Sequence, residues 1–135
     1  MGAEWAKREM RYLRLKDRPL SERTKQVLGL LSERPAASMP EASGDWATTK
    51  AIYRLLPNPR VEEDHIRQAH CQATRDRVAG KKRILAIQDT TELNYTGKNV
   101  AESLGHLANE HAQGLLMHST LAVSEAGVSL GLLHH

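Results

Sequence analysis

Two sets of residues in this chain are equipped for chemistry: one carboxylate after an apolar run, and arginines and lysines at helical spacing. Residues 84–95 read ILAIQDTTELNY. Ile84, Leu85, Ala86 and Ile87 predict a buried strand, and Asp89, Thr90 and Thr91 follow at its end. A rigid strand that presents an acid is a good support for a metal-binding carboxylate. Carboxylate oxygens suit a hard cation such as Mg²⁺. The plainer alternative is a strand-end aspartate that caps a turn with Thr90 or Thr91. One carboxylate cannot hold a catalytic metal pair, so the chemistry of Asp89 depends on its partners.

The cations suggest a polyanion. Arg8, Arg11, Arg14 and Arg18 recur at spacings of three and four. On a helix this gives a basic stripe that tracks phosphates, or a solvated face paired with Glu4, Glu9 and Asp17. Lys50 and Arg54 are four apart and share a face of a later helix, with Thr48 and Thr49 nearby and Arg60 just beyond. Such a helix can enter a DNA groove, although simple solubility accounts for it equally well. The histidines make no metal site. His65 and His70, and His106 and His111, are five apart, which splits them across a helix. His118 sits in an apolar segment and reads as a satisfied core histidine. Cys71 reads as a small buried residue.

The elements that must position these residues follow from composition and pattern. The chain has 135 residues, 40% of them hydrophobic, with 4% aromatic and no phenylalanine. Its core must therefore use Leu, Ile, Val, Ala and Met. A net charge of +3 tolerates a polyanionic partner without requiring one. A single cysteine allows no internal disulfide, which fits a reducing cytoplasm. No signal peptide is visible and no apolar run is long enough for a membrane span, so a soluble intracellular chain is expected.

Residues 1–79 read as helical. A loose pattern over 5–15 predicts a first helix ending before Pro19. Ser21 is the expected N-cap of a second, with Pro35 beyond its end. Residues 36–40 read as a loop. A third helix starts near Asp45, with Trp46, Ile52, Tyr53, Leu55 and Leu56 as its expected buried side, and Pro57-Asn58-Pro59 stops it. A charged helix over 61–79 ends at Gly80. Residues 80–135 change character. The strand at 84–89 extends toward Tyr95, a turn follows at 96–98, and a short helix is expected within 100–108. Residues 115–123 and 128–133 read as a hairpin around 124–127. The fold class is α+β.

Three blocks carry a family resemblance: GDWATTKAIYRLLPNPRV (44–61), LAIQDTTELNY (85–95) and LLMHSTLAV…GLL (115–133). In this order they resemble the start of a DDE transposase of the insertion-sequence-four type, which includes the Tn-five transposase. The pattern Tyr-Arg followed by Asn-Pro matches Tyr53, Arg54, Asn58 and Pro59. The resemblance implies that 1–79 is a helical domain binding double-stranded DNA at the terminal inverted repeats. It implies that 80–135 supplies the first three strands of a ribonuclease-H-like catalytic core. Asp89 then takes the place of the first of three carboxylates that hold Mg²⁺ for phosphodiester cleavage and strand transfer. Lys50, Tyr53, Arg54, Arg60, Arg8, Arg11 and Arg14 become the candidate DNA contacts. A second transposase subunit is a possible partner, and the expected location is a bacterial-type cytoplasm, with the nucleoid.

The family's second Asp and its Glu have no match before His135, and Glu92, Glu102, Glu110 and Glu125 occupy no matching motif. The block from His106 to Gln113 departs from the Gly-rich loop expected there. The chain is therefore expected to be incomplete for catalysis by itself. It reads either as part of a transposase or as a non-catalytic DNA-binding remnant or inhibitor of a full-length enzyme.

Overall fold

The computed structural model describes residues 2–135. They form two compact units, one ending at Asp76 and one starting at Arg77. Five helices are followed by an antiparallel sheet of four strands, so the fold class is α+β as expected. The break between units falls in the last turn of the fifth helix, ahead of Gly80.

Helix α1 spans Gly2–Glu9, shorter than the pattern over 5–15 predicts. After the Met10 N–H bond to the Ala6 carbonyl (2.9 Å), the chain tightens: Leu13 N–H donates to the Met10 carbonyl at 3.0 Å. Met10, Leu13 and Leu15 then pack together with Ala69. A continuing helix would have set Leu13 and Leu15 about 200° apart, so burying both requires the chain to leave the helix. The consequence is functional. Arg8 is on α1, Arg11 and Arg14 lie beyond it, and Arg18 opens the next helix. The four arginines do not form a stripe on one helical face.

Helix α2 spans Arg18–Glu33. Its N-cap is Asp17, not Ser21: the Asp17 carboxylate accepts the Leu20 N–H at 3.3 Å. Pro19 sits in the first turn, where its missing N–H costs no intrahelical bond. Ser21 is buried instead, and its hydroxyl accepts the Leu15 N–H at 3.2 Å. The expected loop at 36–40 is half helix, because α3 occupies Met39–Ser43. Glu41 accepts the Ser38 N–H at 2.8 Å, a capping box that starts this short helix. Gly44, in the left-handed region at φ 76°, connects it to α4, Trp46–Leu55. Helix α5 spans Glu63–Val78 and buries Ala69, Cys71, Ala73 and Thr74. Glu9, itself buried, holds the His70 ring nitrogen at 2.6 Å and ties α1 to α5.

Val27, Ile52 and Leu55 form the contact between α2 and α4. The inward side of α4 is Thr49, Ile52 and Leu55, a stripe at spacing three. Trp46, Tyr53 and Leu56, expected on that side, are 75%, 53% and 54% exposed.

In the second unit, β1 is Ile84–Asn94, β2 is Gly105–His106, β3 is Gln113–Ser124 and β4 is Ser129–His134. The three long strands match the expected ones; β2 is an addition. A 3₁₀ turn at Ala101–Ser103 stands where the short helix was expected. β3 is central. It pairs with β1 along the whole of β1, from Ile84 opposite Ser124 to Asn94 opposite Gly114. β2 and β4 pair with β3 near its two ends. The turn between β3 and β4 closes through the Gly127 N–H and the Ser124 carbonyl at 2.9 Å, with Gly127 at φ 77°. Ala122 and Val123 are buried. The start of β1, expected to be buried, is open: Leu85 and Ile87 are about half exposed. The second unit has no long helix of its own to lay over them. Among the described residues, no helix is long and apolar enough to cross a membrane.

Candidate nucleic-acid interface

The outward face of α4 is built by its start and by its buried side together. Asp45 caps the helix as expected: its carboxylate accepts the Thr48 N–H at 2.8 Å and the Thr48 hydroxyl at 2.7 Å. These bonds hold the Asp45 carboxyl below its ordinary value. Thr49 is buried, donating to the Asp45 carbonyl at 2.8 Å and meeting the Ser43 hydroxyl at 2.5 Å. Both threonines therefore fix the helix and are not free to read a ligand. With Thr49, Ile52 and Leu55 inward, Trp46, Lys50, Tyr53 and Arg54 fall on the opposite face at i, i+4, i+7 and i+8.

This face has a distinct chemistry. It carries two cations and two aromatic rings, and residues 46–56 contain no acid. Lys50 and Arg54 are exposed, and no ion pair engages either among the described residues. An exposed Trp beside unpaired cations is not what solubility alone selects. Beside this face a groove of about 280 Å³ runs between α2 and α4, with Arg23, Arg54 and Asn58 in its lining together with one acid, Asp17. Arg23, one of the basic residues of the helical part but not among the candidate DNA contacts, adds a cation here. Its signal was positional, since it lies on the α2 turn that packs against α4.

The Asn58-Pro59 turn anchors the end of α4. Asn58 N–H donates to the Leu55 carbonyl at 3.1 Å, its own carbonyl accepts the Val61 N–H at 2.8 Å, and its side chain accepts the Arg60 N–H at 3.0 Å. The Arg60 guanidinium reaches Asp17 at 3.2 Å. Arg60 thus links this turn to the cap of α2, and the same contact balances the acid at the rim of the groove.

The other arginines are placed differently from one another. Arg8 is exposed on α1. Arg11 stacks on the Tyr12 ring, 4.8 Å from its centroid, and pairs with Asp76. The Tyr12 hydroxyl donates to the same carboxylate at 2.5 Å. These contacts, Tyr12 first and Arg11 second, hold the Asp76 carboxyl below its ordinary value. Arg14 donates to the Arg11 and Leu13 carbonyls at 2.9 and 3.0 Å. The structure therefore groups Lys50, Tyr53 and Arg54, holds Arg60, Arg11 and Arg14 in local contacts, and leaves Arg8 apart on α1.

Residues 2–61 match the family model described as transposase DNA-binding. This segment is similar to the DNA-binding domains of transposases. The match runs from α1 through α4 and past the Asn58-Pro59 turn, so it takes in the whole cationic face and the groove beside it. α5 packs on the domain from outside the matched range.

Asp89 lies in the second unit. It is not at a strand end, because β1 continues to Asn94, and it stands opposite Ser119. No turn is there for it to cap. Period-two alternation puts Asp89 on one face with Ile87 and Thr91, and Gln88, Thr90 and Glu92 on the other. Thr90 meets the His118 ring nitrogen at 2.7 Å. His118 is exposed, a cross-strand partner of Thr90 and not a core histidine. Glu92 accepts the Ala108 N–H at 3.3 Å and faces away from Asp89. The block 106–113 is an ordered turn, with Leu107 N–H bound to the Ala112 carbonyl at 2.9 Å. Among the described residues, no group of three or more His, Cys, Asp or Glu side chains converges as a metal site. One carboxylate opposite a serine does not by itself fit Mg²⁺, which needs near-octahedral oxygens and dehydrates reluctantly.

Proposed function

We propose that this chain is the N-terminal part of a cut-and-paste transposase, and that its DNA-binding domain grips the terminal inverted repeats of a transposable element. The observation that carries the reading is the outward face of α4: Trp46, Lys50, Tyr53 and Arg54 exposed together, without an acid. α3, the Gly44 turn and α4 have the order of a helix-turn-helix, in which the second helix lies in the major groove. Lys50 and Arg54 supply phosphate contacts or a fork to a guanine edge, and the aromatic rings supply apolar contact. Arg23 extends the cationic surface onto α2.

In this reading Asp89 supplies one carboxylate toward a metal shell, with the remaining acids outside the described residues. Its role is to be held at a fixed place on β1, and no chemical step follows from it alone.

The test is selective binding by the full chain. A duplex carrying the terminal repeat of the parent element is compared with a scrambled duplex of equal length. The repeat should bind more tightly, and Arg54→Ala should reduce that preference. Equal affinity for the two duplexes would refute end recognition, and an unaltered preference in Arg54→Ala would remove α4 as the reader.

A further inference from the structure

A second cationic concavity lies in the first unit, largely outside the range that matches the DNA-binding family. It is a pocket of about 470 Å³ lined by Tyr12, Arg14, His65, Gln68, Ala69, Gln72 and Arg75. His65, Gln68, Ala69, Gln72 and Arg75 all come from α5, beyond residue 61.

The lining carries two guanidinium groups and no carboxylate. Arg14 is held in place by its bonds to the Arg11 and Leu13 carbonyls. These use one terminal nitrogen and leave other N–H donors of the fork available. Arg75 reaches the Gln72 side-chain oxygen at 3.4 Å, a long contact that a stronger acceptor would displace. Gln68 adds amide donors, and Gln72 adds the N–H left over from its 3.5 Å contact with Asp76. The covered Nδ1 of His65 has no hydrogen-bond partner, and its nearest acid is Glu62 at 3.7 Å. The other neighbouring acid, Asp76, is occupied by Arg11 and the Tyr12 hydroxyl. One held arginine and one loosely engaged arginine at a concave site with amide donors suit a phosphate oxygen better than a carboxamide or an apolar group.

We propose that this pocket takes a backbone phosphate of the bound duplex, so that the DNA surface of the first unit continues past residue 61 onto α5. The proposal rests on the DNA-binding reading above and extends it to a site on a different helix. The phosphate contact positions the duplex and carries no sequence information.

The experiment titrates the full chain with a labelled random-sequence duplex across a salt series, using wild type, Arg75→Gln, Arg75→Glu and Gln68→Glu. Arg75 and Gln68 are exposed, so thermal transitions should match wild type. Losing one phosphate contact should reduce the salt slope by about 0.9, or about 3.5-fold less affinity lost over a fourfold rise in salt. Arg75→Glu and Gln68→Glu should weaken binding at low salt, the first more than Arg75→Gln does. A wild-type slope in all three variants, with wild type itself salt-dependent, overturns the α5 contact and leaves the α4 reading standing. Inorganic phosphate at matched ionic strength separates the other source. If Arg75→Gln weakens phosphate binding and leaves the duplex slope unchanged, the pocket is a free-anion site and the proposal fails. A wild-type chain with no salt-dependent duplex binding overturns the proposal together with the reading beneath it.

Discussion

Changing Lys50 and Arg54 together to alanine removes two charges from the outward face of α4 and leaves its foundations in place. The Asp45 cap, the buried Thr49 and the Ile52–Leu55 contact are all on other sides of the helix. Both side chains are exposed and unpaired, so the substitution breaks no ion pair and fold stability should stay within about 0.5 kcal/mol. Alanine also has the higher helix propensity. The effect should appear in the electrostatics of binding. Each phosphate neutralised on duplex DNA contributes about 0.9 to the slope of log affinity against log salt, so the double variant should lose about 1.8. From about 50 to about 200 mM salt, a fourfold change, that amounts to about 12-fold less loss of affinity than wild type suffers. Fluorescence anisotropy of a labelled random-sequence duplex reads the slope directly. Lys7→Ala is the control, because Lys7 is already paired with Glu4 at 3.0 Å and should leave the slope unchanged. Two results would refute the reasoning. If the double variant keeps the wild-type slope, the α4 cations do not touch phosphates. If Lys7→Ala lowers the slope equally, the effect reports net charge and not this face.

Ile52→Ala should destabilise the first unit by about 2–5 kcal/mol, since Ile52 is fully buried against Val27 and Leu55; a thermal transition unchanged from wild type would contradict that packing. The depressed carboxyls of Asp45 and Asp76 predict an acid limit: their stabilisation is present above an unfolded value of about 3.9 and is lost as pH falls through the lower folded values. Helicity followed by circular dichroism should therefore drop at low pH, and a combined Asp45→Asn, Asp76→Asn variant should show a flatter acid limb; an identical limb would mean these contacts are not formed in solution. Asp89→Asn should leave duplex affinity and its salt slope unchanged, because Asp89 belongs to the second unit, and a large loss of binding would place it in the DNA interface. An alanine at Gly114 would put its Cβ 2.1 Å from the Leu93 carbonyl oxygen, so Gly114→Ala should loosen the β1–β3 pairing, read as faster amide exchange along both strands.

Much of the fold was legible because its signals are local. Asp45 and the Pro57-Asn58-Pro59 segment bracket α4, Gly80 follows α5, and the turn at 124–127 joins two strands, all through cap and turn chemistry that needs no tertiary information. The errors arose where packing decides. The pattern over 5–15 gives no hint that burying Leu13 and Leu15 together ends α1 at Glu9, and with that ending the arginine stripe disappears. Ser21 looked like a cap, but Asp17 takes that role because Pro19 is tolerated within the first turn. Residue type alone puts Trp46, Tyr53 and Leu56 inward. Counting the period from Ile52 instead gives Thr49 and Leu55 as its inward neighbours and leaves both aromatic rings outside.

Two of the places where the chain breaks the ordinary rules of burial are also functional candidates. A domain that only had to stay folded and dissolved would gain nothing from holding an indole and a phenol outward beside unpaired cations, since either ring could be polar without disturbing Thr49, Ile52 or Leu55. On β1 the exception is inverted. Alternation sets Asp89 among Leu85, Ile87 and Leu93 on one face, opposite a strand side that carries Leu115, Met117 and Leu121. For an apolar face, an acid at its centre is the least favourable residue, because covering that face would bury a charge that must then be paired or bound to a cation. Local rules of this kind fail most often where function is at stake. The two sites differ in what surrounds them. The α4 face has its cations, rings and supporting cap within one helix, so the first unit can be tested as it is. Asp89 has its support in the β1–β3 pairing but only Ser119 directly across from it, so its chemistry depends on carboxylates brought to the same face.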